Sequence, residues 1–572
     1  MPSFTLPSVD VRDVPFSRRG SWLDISPVIG LHRRAEDLHL VTHLNGMHAI
    51  LRLVPTREGR RIETTINADP SVLVWESGDG SSIRAAFEST TTVRFTGDGV
   101  DLTLADAVDE LTPFTGTYFF QDPIDRAYVF TSYESGRRYR VTSLKGKLAP
   151  DGSEALGAGT RSLTASGTQG WELAVEEIGA AHPPYVSLEP FADVVKRVAS
   201  DFTAYVDAIA AWRTEATPAV ERAAYVLWSA TVEPAGFLLR ESILMSKHWM
   251  DKVWSWDHAF NALAVAPGLA EHALDQFLTP FDHQDLSGAM PDSVTHSEVL
   301  YNFVKPPIHG WALTRLRERL PRELTIDELS DIYERLSKWT RFWLDYRIIP
   351  GHDLPYYQHG NDSGWDNSTT FDTDRVIEAP DLAAFLVIQL GVLASLAEEL
   401  GSDEQQRWDR ERGRVWDALL RHLRDDEGFF AVGALSGRIS KRTSLLNLLP
   451  ILAADVLPTN VAATLAKAIE GHLTAWGPAT QRPDDPDYQT DGYWRGPIWA
   501  PSTMIIEEGL RRGGYVALAD TVSARFRALC EASGFAENFD AVTGEGLRDR
   551  AYTWTASVYL VFAHDTTVRE SS

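Results

Sequence analysis

The stretch Leu382-Ala383-Ala384-Phe385-Leu386-Val387-Ile388-Gln389-Leu390-Gly391-Val392-Leu393-Ala394-Ser395-Leu396-Ala397 decides the fold. It is apolar nearly all round, as expected of a helix buried on every side. It stops at Gly401, and Ser402-Asp403-Glu404-Gln405 caps the helix that follows. Upstream, Thr325-Ile326-Asp327-Glu328 is a capping box. Apolar residues then recur at Leu329, Ile332, Tyr333, Leu336, Trp339, Trp343 and Tyr346. That single stripe, opposite a charged face, describes a half-exposed outer helix. Working outward, the helical period predicts helices near 216–233, 255–266, 269–284, 301–319, 325–347 and 380–400. Six more are predicted near 403–424, 440–455, 459–475, 498–512, 514–532 and 549–564, with a linker helix at 198–214. These pair into six hairpins, which fits an (α/α)6 toroid of inner helices ringed by outer ones. A superhelix of open hairpins is the alternative, but no internal repeat supports it.

Before residue 195 the period is that of strands. Short alternating runs such as Ile83–Phe87 and Val93–Thr96 are broken by turn residues, and further strands are expected at Leu38–Thr42, Ala49–Val54, Tyr118–Phe120, Ala127–Tyr133 and Trp171–Glu177. Gly97-Asp98-Gly99 reads as a hairpin turn between Val93–Thr96 and Val100–Leu104. The expectation is an antiparallel β-sandwich over residues 1–195, a linker helix over 196–215 and the (α/α)6 domain over 216–572.

Composition works mainly by exclusion. The 572 residues carry 54 Lys and Arg against 80 Asp and Glu, a net charge of −26 that disfavours nucleic acid and anionic membrane surfaces as partners. The single cysteine, Cys530, leaves no intrachain disulfide and no Cys-based zinc site. No wholly apolar run reaches the roughly 18–20 residues of a spanning helix, and Met1–Trp22 lacks the apolar core of a secretory leader, so a cytoplasmic location is expected. Triad-hydrolase, zincin and P-loop motifs have no match, and the histidines lack metal-ligand spacing. Asp484-Asp485-Pro486-Asp487 followed by Asp491 lacks the closing glutamate of a calcium loop and reads as a solvated acidic segment. No metal or cofactor is expected.

Of 18 tryptophans only Trp22, Trp75 and Trp171 precede residue 200, so the indoles concentrate in the helical part, as core filling or as sugar-stacking surfaces. Several connecting segments there are too rich in aromatic and acidic residues for simple connectors. They include Trp254-Ser255-Trp256-Asp257-His258, the Gln284–Asp292 stretch, Asp362-Ser363-Gly364-Trp365-Asp366-Asn367-Ser368, Gly492-Tyr493-Trp494-Arg495-Gly496-Pro497-Ile498-Trp499, and Glu537-Asn538-Phe539-Asp540. Carboxyls among indoles suit glycosidic-bond cleavage, which needs one carboxylic acid for the leaving oxygen and one carboxylate for water or carbon. An indole-flanked carboxyl is desolvated and keeps its proton, which suits Asp366 to the acid role and Glu537, in a more polar setting, to the base role. Two bland readings stand beside these: Asp366 as an Asx-turn former and Asp257 as a first-turn acid of a helix.

The blocks Ser363–Ser368, Gly492–Trp499 and Glu537–Gly546, in that order, resemble the signatures of glycoside hydrolase family 63 and its mannosylglycerate-hydrolase-like relatives. Trp256-Asp257 and the Gln284…Gly288…Pro291 stretch are similar to that family's earlier blocks, so the resemblance spans about residues 216–565. It implies an inverting, exo-acting α-glycosidase on an (α/α)6 barrel, with Asp366 as general acid and Glu537 as general base. It also implies Trp256, Asp257, Gln284, Trp365, Tyr493, Trp494, Arg495 and Trp499 as substrate-binding residues, and a small carbohydrate as the substrate. Thr369 where Pro often stands, and Asp540-Ala541 in place of Asn-Pro, depart from the family pattern in the loops. An α-glucosidase is the first reading of the substrate; a glucosylglycerate or mannosylglycerate hydrolase and a trehalase are its rivals. The glycerate readings need a cation for the aglycone, for which Arg438, Lys441 and Arg442 are candidates. From another class, a sugar epimerase or lyase would present a His pair at the pocket floor, and a non-catalytic sugar-binding protein would turn one carboxyl away.

Overall fold

The computed structural model describes residues 6–107, 117–152, 161–187 and 189–571. Its contacts separate two units: residues 1–208, 224–252 and 295–297, and residues 209–223, 253–294 and 298–572.

The first unit is built on two antiparallel sheets. One has the strand order Leu23–Gly30, Arg33–Thr42, His48–Arg57, Asp101–Asp106, Ser162–Ser166, Lys147–Asp151. The other runs Thr117–Gln121, Tyr128–Ser132, Arg138–Lys145, Trp171–Ile178, Thr92–Asp98, Ser82–Phe87, Val72–Glu76, Thr65–Asp69. Alternate residues such as Leu51, Leu53, Leu102 and Leu104 on one sheet, and Val93, Phe95, Leu173 and Val175 on the other, are buried. The hairpin expected at Gly97-Asp98-Gly99 does not form. Thr92–Asp98 and Asp101–Asp106 belong to different sheets, so these glycines carry the chain from one sheet to the other. The reason is Trp171: its Nε1 donates to Val100 O at 2.7 Å, and a Cβ on Gly97 would lie 2.4 Å from its ring. A buried indole fixes the crossing that the turn residues alone could not distinguish from a hairpin.

Segment 224–252 joins this unit through charge as well as packing. His43 sits between Asp24 (Nε2–Oδ2 2.7 Å) and Asp251 (Nδ1–Oδ2 3.0 Å), all buried. Burial works against the imidazolium, but the hydrogen bonds to the two carboxyls outweigh it and push the group up to about 9.

The second unit is a ring. Helices His258–Val265, His309–Arg319, Pro380–Glu399, the 3-10 stretch Leu445–Ala453, and helices Ala500–Arg512 and Thr553–Ser571 each pack on the next, and the last packs on the first. The helices Ala270–Leu278, Ile326–Tyr346, Gln405–His422, Thr459–Glu470 and Val516–Ser533 lie against these staves. The inner helix Pro380–Glu399 is long and apolar enough by composition to cross a membrane, which corrects the expectation that no apolar run reaches spanning length; most of it is buried as a stave of the ring. The capping box at Thr325 is formed, with Glu328 N on the Thr325 hydroxyl and Thr325 N on the Glu328 carboxylate.

Two helices end differently from expectation. The helix expected over 440–455 is a 3-10 stretch over Leu445–Ala453 with Pro450 inside it, because proline has no N–H to donate and its ring clashes with an α-helical carbonyl. The helix expected from 301 begins at His309, after Pro306 and Pro307, for the same reason.

Candidate active site

The aromatic-acidic loops precede the N-termini of the inner staves, so one end of the ring collects them. Asp257 is the N-cap residue of His258–Val265, yet its side chain makes no capping bond. Among the described residues its buried Oδ2 has no hydrogen-bond partner, and burial pushes the carboxyl up to about 8, with Lys305 opposing the shift. The carboxyl therefore points into the site and does not serve the helix as a first-turn acid.

Asp366 follows a short 3-10 turn, Gly360–Ser363, that ends at Gly364 in the left-handed region (φ 74°). A Cβ on Gly364 would stand 2.5 Å from the Trp256 ring. Gly364→Ala therefore combines a left-handed alanine with a clash, and is expected to cost about 2–4 kcal/mol by chemical denaturation, with activity falling in parallel. The loop is held from outside. Asn367 donates to Gly492 O (3.0 Å) and accepts from Trp494 N (3.0 Å), and Asp362 accepts from Val304 N, Gln358 N and Arg347. Among the described residues no partner uses the Asp366 carboxyl to form a turn. Burial raises it above its ordinary value, Lys305 opposes this, and Asp292 adds to it.

Glu537 stands at the start of the small ladder Asn538–Phe539 with Gly546–Leu547, and its amide donates to Asp549 O at 2.7 Å. Its setting is not the more polar one expected: it is 4% exposed, and burial, reinforced by the Asp549 carboxylate, pushes it up to about 8, against the Arg548 guanidinium and the hydroxyl of Tyr493, which donates to it. Tyr493 has its hydroxyl raised far above the usual range by burial, then by the charges of Glu537, to which it donates, and Asp366. It holds this place in a left-handed backbone (φ 64°) that a non-glycine residue seldom adopts, with its carbonyl accepting from Trp499 Nε1 (2.9 Å) and Arg548 over its ring (4.9 Å). Tyr552 closes the circle, within the field of Glu537, Tyr493, Asp257 and Asp549.

The tryptophans are arranged differently from the expectation that each presents a face to substrate. Trp365 stacks on Trp494 (4.5 Å between centroids), and Trp494 stacks on Trp499 (4.0 Å, 6°). Trp554 meets Trp499 and Trp256 edge-on. Trp494 thus has both faces covered by indoles and cannot stack on a sugar; it and Trp499 form the buried wall behind Tyr493. Arg495 is likewise committed elsewhere. It forms a two-point ion pair with Asp372, and its Nε donates to Asn367 O (2.8 Å), so it clamps the Asp366 loop. Gln284 donates to Gly288 O (2.9 Å) and Arg335 O (3.1 Å), tying its loop to helix Ile326–Tyr346 beside a separate cavity, not the carboxyl cluster.

Sequence reasoning gave no role to Asp292, Lys305, Arg548 or Tyr552, because a lone charge or phenol in a loop carries no spacing signal. Asp292 ends the Gln284–Asp292 stretch and Lys305-Pro306-Pro307 follows in the same long connection, whose length was the available hint. The departure Asp540 makes an Asx turn, accepting from Val542 N (2.7 Å) and Thr543 N (3.0 Å), so the loop keeps a defined shape without proline. In the acidic segment Asp484 pairs with Arg482 and Asp487 with Arg442, and no cluster of three or more metal-ligating side chains occurs among the described residues.

A helical ring whose loop end gathers desolvated carboxyls, two tyrosines and stacked indoles has the groups that a glycoside hydrolase needs. The chain belongs to the mannosylglycerate hydrolase MGH1-like glycoside hydrolase domain family, whose model matches residues 250–555, and so to glycoside hydrolase family 63. Among its relatives are the mannosylglycerate hydrolase of Rubrobacter radiotolerans (23% identical, covering 54% of this chain and 89% of the relative) and the glucosylglycerate hydrolase of Mycolicibacterium hassiacum (22%, 60% and 97%). The crystal structure of a GH63 mannosylglycerate hydrolase from Thermus thermophilus, in complex with Tris and D-glycerate, shares the fold at a TM-score of 0.53 and 21% identity, covering 59% of this chain and 98% of that one.

Proposed function

We propose that this chain is an inverting, exo-acting α-glycosidase for a small glucoside or gluco-oligosaccharide, with Asp366 as general acid and Glu537 as general base. The observation that carries the reading is the bridge between two loops: Asn367, next to Asp366, bonds Gly492 O and Trp494 N on either side of Tyr493, whose hydroxyl donates to Glu537. In the proposed reaction Asp366 gives its proton to the glycosidic oxygen as the C–O bond breaks. A water attacks the anomeric carbon from the opposite face and passes its proton to Glu537. Asp257, with a buried unpartnered oxygen, would accept hydroxyls of the terminal sugar.

The named activities of the relatives favour a second reading, a hydrolase of glucosylglycerate or mannosylglycerate. Its aglycone carboxylate needs a cation. Arg438, Lys441 and Arg442 are engaged at the surface, with Asp374 (2.9 Å), Glu427 (2.9 Å) and Asp487 (2.9 Å) respectively, whereas Arg548 lies over the Tyr493 ring and is the cation nearer the carboxyls.

The test is a panel of α-disaccharides including trehalose, glucosylglycerate and mannosylglycerate, with released sugar and its anomer followed by NMR. Initial appearance of the β-anomer is expected, and the fastest substrate names the leaving group. Initial release of the α-anomer would replace the mechanism by a retaining one.

A further inference from the structure

Neither proton transfer uses Lys305, yet it stands inside the carboxyl cluster. It is 5% exposed, with Nζ 2.9 Å from Asp292 Oδ1. The amine also donates to Asn361 O (2.9 Å) and lies 5.4 Å from the centre of the Trp254 ring. Asp257, Asp292 and Asp366 lie within one another's field, and the first two are almost inaccessible to solvent. A desolvated carboxyl takes up a proton unless a cation stands beside it. The proposed reaction needs different states in neighbouring groups: Asp366 protonated, Asp257 able to accept sugar hydroxyls, Glu537 ionised.

We infer that Lys305 is a positioning residue of this reaction: its ammonium, pinned by Asp292, Asn361 and Trp254, decides how protons are distributed between Asp257 and Asp366. The inference rests on the reading of Asp366 as the acid. The ammonium spans two loops, since Asn361 belongs to the one that carries Asp366 and Trp254 to the one that carries Asp257, and it opposes the effect of burial on both carboxyls. The other groups facing Asp366 are Asp292, His359, Asp257 and Tyr493; those facing Asp257 are Asp292, Asp366 and Tyr552. Around Glu537 the charged neighbours are Asp549 and Arg548, and it shares Tyr493 and Tyr552 with the two aspartates.

The two partners of the buried ion pair act on the acid with opposite signs, and this makes the test one of direction. Lys305→Met removes the cation, so a limb of the kcat/KM–pH profile is expected to move about one unit upward. Asp292→Asn leaves the cation less compensated, and the same limb is expected to move downward. Lys305→Arg keeps the charge and should keep the limb near its wild-type position even if kcat falls. The double variant Lys305→Met/Asp292→Asn leaves no buried charge unpaired and should fall between the single variants; if Lys305→Met does not fold, the downward shift in Asp292→Asn and the retention in Lys305→Arg carry the test. A purely structural role predicts lower activity with unmoved limbs. Unmoved limbs, or shifts of the same sign in both single variants, would overturn the inference. Failure of the underlying reading looks different: Asp366→Asn would then remain active on substrates with poor leaving groups.

Discussion

Asp366→Asn is expected to lower kcat/KM about 100- to 10,000-fold on substrates with a sugar or alkyl leaving group. The replacement is nearly isosteric and removes only the transferable proton. An alkoxide leaves poorly, so without protonation the whole cost of its developing charge falls on C–O cleavage. A 4-nitrophenyl glycoside needs little help to leave, and on such a substrate the loss should shrink to a small factor. That contrast is the diagnostic outcome, because a residue that merely shaped the pocket would weaken both substrates alike. Folding should be preserved. The loop's scaffold contacts come from Asp362, Asn367 and Arg495, while the Asp366 carboxyl supports no neighbouring backbone. The measurement is a pair of steady-state assays on the two leaving groups, with a denaturation curve as control. Equal loss on both substrates would remove Asp366 from the acid role.

The two-layer helical ring was legible because its two kinds of helix have different sequence periods. Pro380–Glu399 has no polar face and Ile326–Tyr346 has one, and each became the inner or outer element its pattern requires. What the sequence misjudged involves non-local packing. Gly97-Asp98-Gly99 carries turn chemistry whether the next strand pairs with the last or crosses to the other sheet, and Trp171, more than 70 positions on, decides between them. Leu445–Ala453 has helical composition, and only the missing donor at Pro450 tightens it.

The site divides along the same line. Loops carrying Asp257, Asp366 and Glu537 could be recognised from local composition, since clustered indoles and carboxyls are costly unless they serve chemistry. How each aromatic is turned could not. Trp494 and Tyr493 are adjacent in sequence, yet one is sealed between two indoles while the other holds the middle of the site. With a left-handed backbone, Tyr493 sets its phenol edge-on against Trp499 (4.8 Å between centroids, 82°) and stays out of the parallel stack. Buried charges such as Lys305 and Asp292 were equally hidden, because their meaning lies in each other and neither is near the other in sequence.

Glu537→Gln should be as damaging as loss of the acid, about 100- to 10,000-fold, with a different signature. Water activation is needed whatever the leaving group, so the loss is expected to persist on the 4-nitrophenyl substrate where Asp366→Asn recovers. The same variant should be more stable than the native chain. Burial first, then Asp549, raises Glu537 from its ordinary 4.5 to about 8. A carboxyl raised by folding contributes its stability fully below the unfolded value, and loses it progressively as pH climbs through the folded one. Between about 4.5 and 8, therefore, the native protein holds a group that would ionise more readily unfolded, while glutamine has nothing to ionise. The gain in Tm of Glu537→Gln is expected to be small near pH 4.5 and to grow up to about pH 8. A strained catalytic base is the kind of group whose removal trades activity for stability. A variant that lost activity and stability together, with no pH dependence, would mark Glu537 as a packing residue. Loss of activity with a pH-dependent gain in stability is what a desolvated general base requires.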